Sequence, residues 1–197
     1  MQRDVAVEDV LLTTDVDGLD LIPSNIDLSA AEVQLVGEVA REQMLGRALR
    51  PVIDDYDVVL IDCQPSLGLL TVNALTAADG VIVPLECEFF ALRGVALLMD
   101  TIQKVQERLN EELVIDGFLG TMYDPRTLHA REVLSTIIDG FGDKVYSTVI
   151  NRTVRFPDAT VAGEPITRFD SSSAGANAYR ELAKEVLARW PLSGRGA

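Results

Sequence analysis

Lysine is scarce in this chain of 197 residues: it occurs only at Lys104, Lys144 and Lys184, after Gln103, Asp143 and Ala183. No lysine follows a glycine, so these residues contain no phosphate-cradling loop of the form G-x-x-x-x-G-K-[ST]. Such a loop works because glycine amides and a helix amino terminus wrap the phosphates while lysine neutralises them. Histidine occurs once, at His129 near an expected helix start. That excludes a histidine-based triad or a multi-histidine metal site, and leaves a solvated or capping role. The two cysteines, Cys63 and Cys87, each follow an apolar run. They read as small buried thiols in a reducing compartment and not as a disulfide framework. No apolar run is long enough to span a bilayer, because Asp, Glu or Arg interrupts each one. The opening MQRDVAVEDV lacks the basic-then-apolar layout of a signal peptide.

What remains is a folded domain. Hydrophobic residues make up 48% and charged residues 24%, enough apolar material for a core and too little charge for disorder. The length suits a single domain over residues 1–190, with a disordered tail at 191–197. The net charge of −14 is uneven. Residues 1–115 hold 21 acidic and 7 basic side chains, whereas residues 116–197 hold 10 of each. This balance argues against a dedicated DNA-binding domain but leaves room for a local arginine patch in the second half.

Strands and helices alternate along the chain. Leu19–Pro23 reads as a short strand. Ser29-Ala-Ala-Glu32 is a capping-box pattern opening a helix whose buried face carries Val33, Val36, Ala40 and Leu49. Val58–Asp62 is a continuous apolar run, as expected for a strand covered on both faces. A helix over Leu69–Ala78 leads to a second buried strand, Val81–Leu85. Leu92–Leu109 is a long amphipathic helix. Gly117–Tyr123 reads as a strand, Ala130–Phe141 as a helix and Lys144–Ile150 as a strand. The last helix carries an apolar stripe of Tyr179, Leu182, Val186 and Trp190. The expected fold is therefore α/β, with a mainly parallel sheet flanked by helices.

Asp62 is the most informative single residue. It ends an apolar strand before a turn with Pro65 and Gly68, and open parallel sheets bind ligands at the carboxyl ends of their strands. A carboxylate there suits Mg²⁺ beside a phosphate chain. A helix cap is the alternative reading of the same residue. Elsewhere, Arg152, Arg155 and Arg168 are interleaved with Asp158 and Glu164.

Several long stretches narrow these readings. YDVVLIDCQPSLGLLTVNALTAADGVIVPLECEFFALRG, from Tyr56, closely resembles the Walker B region and following strand of ParA-type partition ATPases, relatives of MinD. The resemblance continues through TMYDPRT, FGDKVYSTVINRTVRFPDA and GEPITRFDSSSAGANAYRELAKEV. Upstream, LDLIPSNIDLSAAEVQL is similar to the segment that precedes Walker B in that family. The likeness is collinear from about Val10 to about Arg189. It implies a P-loop NTPase-like fold, here N-terminally truncated, and an ATP- and Mg²⁺-dependent protein of the cytoplasm and nucleoid. It further implies a homodimer, a ParB-like partner, non-specific DNA binding and no membrane partner. By position, Asp62 becomes the Walker B carboxylate at Mg²⁺. Met122, Asn151, Arg152 and Thr153 fall near the adenine, and Arg152 and Arg155 fall on the DNA-contacting face.

The departures matter as much. The family's P-loop and its catalytic aspartate are both missing, so ATPase activity is expected of a parent polypeptide and not of this chain alone. In the family the P-loop strand lies inside the sheet, and without it neighbouring strands lose ladder partners. Asn151 stands where the family usually has proline, and Gln64 likewise. A start codon assigned too far downstream is the simplest account. The alternative is a degenerate paralogue that keeps its interaction surfaces and turns over no ATP. The DNA just upstream of the Met1 codon separates them: an in-frame G-K-G-G-x-G-K-[ST] is expected, and stop codons closing that frame leave the paralogue standing.

Overall fold

The longest strand ladder joins the apolar stretches Gly80–Glu86 and Val114–Thr121. The computed structural model describes residues 5–88 and 91–190, with side chains from residue 94 onward in the second stretch. The chain divides into two compact units. One comprises Met1–Asp79 and Leu98–Leu113, the other Gly80–Leu97 and Val114–Ala197. The residues expected to form a tail, 191–197, lie outside the described ones.

In the first unit, β1 (Leu12–Thr13) and β2 (Asp20–Leu21) form a small antiparallel pair. The expected strand at Leu19–Pro23 is thus real but only two residues long. Helix α1 (Leu28–Leu35) is followed by a 3-10 turn at Arg41–Gln43, by α2 (Met44–Leu49) and by α3 (Leu69–Ala77). A single helix running to Leu49 is therefore corrected to two, broken where Ala40 takes a left-handed φ of 55°. The buried face also differs. Ala31 and Leu35 pack with Met44 against Leu69 and Leu70, while Val33 and Val36 stand exposed. No capping box forms: the Ser29 hydroxyl donates to the Ile26 carbonyl instead.

A buried asparagine joins these helices. Asn73 on α3 is fully buried. Its Oδ1 accepts from the Leu45 amide at 3.0 Å, and its Nδ2 donates to the carbonyls of Arg41 and Leu69 at 2.8 and 2.9 Å. Helix α4 (Ala91–Arg108) passes from one unit into the other, and just beyond its end Asn110 donates to the carbonyls of Leu75 and Ala78. Those bonds satisfy acceptors that the end of α3 leaves open.

Val58–Asp62 departs most from expectation. It makes no ladder pair among the described residues, and Leu60 is 84% exposed. An apolar run becomes a buried strand only when neighbours pair with its backbone and cover its faces, and in this unit nothing described does so.

The second unit is built on a parallel pair, β3 (Gly80–Glu86) and β4 (Val114–Thr121), which runs from Gly80 opposite Val114 to Glu86 opposite Thr121 with a one-residue register shift between Val81 and Ile82. Lys144–Ile150 runs beside β4 without forming a full ladder. Bridges join Phe118 to Val145 and Tyr123 to Asn151, and the amides of Tyr146 and Ile150 donate to the carbonyls of Phe118 and Gly120. On its other edge β3 has no strand partner among the described residues.

Helices α5 (Leu128–Phe141), α6 (Arg155–Ala162), α7 (Ile166–Phe169) and α8 (Ala174–Arg189) complete this unit. One core cluster holds Leu119, Tyr146 and Ile150 against Leu182 and Val186 of α8. Arg189 fixes the end of α8. Its guanidinium lies 4.0 Å from the Tyr146 ring centroid and donates to the carbonyls of Asp116 and Val145. A Cβ at Gly117 would meet Arg189, Tyr146 and the Lys144 carbonyl at 2.7 Å, so only glycine fits there.

Asn73→Leu is expected to lower stability by about 1–3 kcal/mol for each buried group left without a partner. The check is a downward shift of the urea midpoint at unchanged slope.

Candidate functional site

Asp62 lies in the first unit, exposed, at the start of a loop that neighbouring side chains hold in place. Gln64 Nε2 donates to Ser66 Oγ at 2.7 Å and to Glu32 Oε1 at 3.2 Å. Thr71 Oγ1 donates to the Ser66 carbonyl at 2.6 Å. The same Glu32 oxygen accepts from the Leu70 amide, which places a carboxylate from α1 at the amino end of α3. A Cβ at Gly68 would displace that carboxylate. The N-cap of α3 is Gly68 itself, so the helix-cap reading of Asp62 does not hold. Beside Asp62, Cys63 is exposed as a residue. Even so, burial of its sulfur and then the Asp62 charge push the thiol above its usual range, against a reactive thiolate.

Met122, Asn151, Arg152 and Thr153 lie in the second unit, and the fold brings them together. Met122 follows the carboxyl end of β4 with φ at 52°, a left-handed conformation that costs a side-chain-bearing residue about 1–2 kcal/mol. Such strain persists where surroundings over-determine the backbone. Here the Tyr123 amide donates to the Ile150 carbonyl at 3.2 Å, and the Arg152 amide donates to the Tyr123 carbonyl at 2.9 Å. The turn at Met122 and the segment from Asn151 to Thr153 are thereby stitched side by side. Thr153 Oγ1 accepts from the Arg155 amide at 3.2 Å, just where α6 begins.

Three functional features escape the sequence reading. Asp124 and Arg126 form a two-point ion pair, with Arg126 Nε 2.9 Å from Oδ1 and Nη2 2.7 Å from Oδ2. The Arg126 amide also donates to Oδ1, closing an Asx turn. These hydrogen bonds and the nearby Arg152 charge hold the Asp124 carboxyl at about 2. The Asp-x-Arg spacing was a usable signal for this turn. Glu32 and Asp170 act across long stretches of chain; the capping-box pattern marks Glu32 for the start of α1, not for the start of α3, and no local pattern marks Asp170. Arg155 is not a free cation: its Nε lies 3.3 Å from Asp170 and its Nη1 3.8 Å from Asp158. His129 is exposed, and Thr127 caps α5 instead, accepting from the Ala130 amide.

Magnesium is commonly held by one or two carboxylates plus phosphate oxygens, a role that the exposed Asp62 fits. No group of three or more potential metal ligands occurs among the described residues, so such an ion depends on phosphates for the rest of its shell. For the phosphates these 197 residues offer no glycine-lysine loop.

Comparison with known proteins bears on the family and the fold. The model of a family described as an AAA domain matches residues 1–115. The Mycobacterium tuberculosis protein Rv1708 is 63% identical over 188 residues, covering 95% of this chain and 59% of its own length. The sporulation initiation inhibitor protein Soj of Bacillus subtilis is 48% identical over 185 residues, covering 94% of this chain and 73% of Soj. The chain belongs to the ParA/MinD-type family of P-loop ATPases. It spans less than two thirds of the length of Rv1708. Among solved structures, a cobyrinic acid a,c-diamide synthase of Mycobacterium smegmatis with bound ADP and magnesium superposes with a TM-score of 0.81. It is 44% identical, and the match covers 98% of this chain and 70% of that one.

Membership gives this ParA-type chain its P-loop NTPase fold, a parallel sheet with flanking helices. Among the described residues no helix is long and apolar enough to cross a membrane.

The Asp124–Arg126 pair sets a pH dependence. Its carboxyl sits below the ordinary value of about 3.9. Its stabilising effect is therefore complete above that value and is lost as pH falls through about 2. Carboxyl NMR titration should find the Asp124 midpoint near 2, and Arg126→Ala should return it toward the ordinary range.

Proposed function

We propose that this chain is the part of a ParA-type partition ATPase that carries the magnesium carboxylate, the adenine-flanking turns and the DNA-facing arginines. Both compact units then belong to one ATPase domain over residues 1–190. In this reading the parent protein segregates chromosomes or plasmids in the cytoplasm, at the nucleoid. It dimerises with ATP and Mg²⁺, binds DNA without sequence preference and hydrolyses ATP when a ParB-like partner stimulates it.

The observation that carries the proposal is the pairing of the Met122 turn with the Asn151–Thr153 segment at the end of β4. In an open α/β sheet, loops at the carboxyl ends of adjacent parallel strands form the ligand crevice. A strained residue at that end is the kind of feature that binding sites retain. Asp62 supplies the carboxylate for magnesium, and Arg152 and Arg155 supply the phosphate contacts for DNA. The mycobacterial neighbour's name, a diamide synthase, refers to another activity, and the motifs quoted from this chain speak for partition.

A second reading is a paralogue that binds partners without turnover. The chain by itself is expected to bind no MgATP and to hydrolyse none, and calorimetric titration checks this. Micromolar affinity would show that other residues replace the glycine-lysine loop and would overturn the assignment of phosphate binding to it. Non-specific DNA binding should be weak and should fall with added salt, with a slope near 0.9 per phosphate contact. Arg152→Ala should weaken it uniformly across sequences, measured by fluorescence anisotropy at several salt concentrations.

A further inference from the structure

Arg155 opens α6, where a cation faces the positive end of the helix dipole. Two carboxylates answer it. Asp158, in the same first turn, lies 3.8 Å away, and Asp170, at the end of α7, lies 3.3 Å from Nε. Asp170 is held by its own backbone. Its amide donates to the Ile166 carbonyl at 3.1 Å, and its carbonyl accepts from the Ser173 amide and hydroxyl at 3.0 and 2.7 Å. Ala159, Ile166 and Ala176 form one buried cluster with Phe156 and Phe169, so α6, α7 and α8 pack on one another. The carboxylate is thus fixed and 28% exposed, while the arginine side chain is 55% exposed. Asp170 faces the guanidinium much as a backbone phosphate would.

We propose that Asp170 is an intramolecular competitor for the DNA phosphate at Arg155, so that this face limits its own affinity for DNA. The proposal rests on the reading of Arg152 and Arg155 as DNA-facing. Binding at Arg155 exchanges one anion for another: the Asp170 carboxylate is released to water as the phosphate takes its place. The Arg152 backbone is fixed by Tyr123, and its charge acts on Asp124 and not on Asp170. An exposed ion pair of this kind shifts an equilibrium by up to about fivefold.

The test is anisotropy of a fluorescein-labelled, mixed-sequence duplex with the full chain. Asp170→Asn keeps the side-chain shape and should raise DNA affinity about 2–5-fold at low salt. It should also steepen the logarithmic salt slope by about 0.9, one phosphate contact. Adding Arg155→Ala to Asp170→Asn should abolish the gain. Glu164→Gln removes the same charge from the exposed connection between α6 and α7, at a residue with no pairing to Arg155 (E164Q), and should leave affinity unchanged. Circular dichroism melting checks that each variant is folded.

Wild-type affinity in Asp170→Asn would overturn the proposal, as would a gain that survives loss of Arg155 or one matched by E164Q. If Arg152→Ala still weakens binding in that case, the DNA-facing reading stands and only the competitor role falls. If no variant binds DNA at all, both fall together.

Discussion

Two main-chain hydrogen bonds on Tyr123 carry the arrangement on which the functional reading depends. One runs from its amide to Ile150 and one to its carbonyl from Arg152. Together they lock the carboxyl end of β4 against the segment leading into α6. Parallel strands deliver their following loops to the same edge of a sheet, so this tie brings Met122 and Asn151 side by side although they are far apart in sequence. The left-handed backbone at Met122 is tolerated because both of its flanks are already bonded. Arg152 and Arg155 inherit their positions from the same tie, one at its end and the other at the start of the helix that follows.

Electrostatics on this edge is close to balanced. Asp124 is paired with Arg126 and feels Arg152, and Asp170 and Asp158 face Arg155. This agrees with the even count of acidic and basic residues after position 115. Charge count alone left open whether the arginines cluster freely or are compensated, because pairing depends on which residues the fold sets within a few ångströms. Compensation lowers the gain from each phosphate contact, since an existing partner must first be displaced.

Backbone pairing is the second constraint. Val58–Asp62 and the outer edge of β3 both lack strand partners among the described residues. The apolar run at Val58 reads from sequence as a buried strand, yet burial is a property of what lies on either side. A pattern of side chains announces a readiness to be covered and supplies no cover. The split helix at Ala40 and the misjudged face of α1 have a related cause. Val33 and Val36 fit a helical stripe as well as Ala31 and Leu35 do, and the packing partners Leu69 and Leu70 decide between them. Existence and type of the long elements were legible, as β3, α4, α5 and α8 show, because their periodicity is strong enough to outvote local exceptions.

From the sequence alone came the family, the alternation of strands and helices, the lack of a glycine-lysine phosphate loop in these residues and the candidate residues, Asp62 among them. Each is a statement about residue types and their order, which the chain carries without folding. Tertiary structure alone decided that Asp62 is no helix cap and that Glu32 closes the start of α3. It also decided that Met122 sits beside Asn151 and that Arg155 already holds a carboxylate. Those facts turn on contacts between residues distant along the chain, and such contacts exist only once packing has chosen which faces meet.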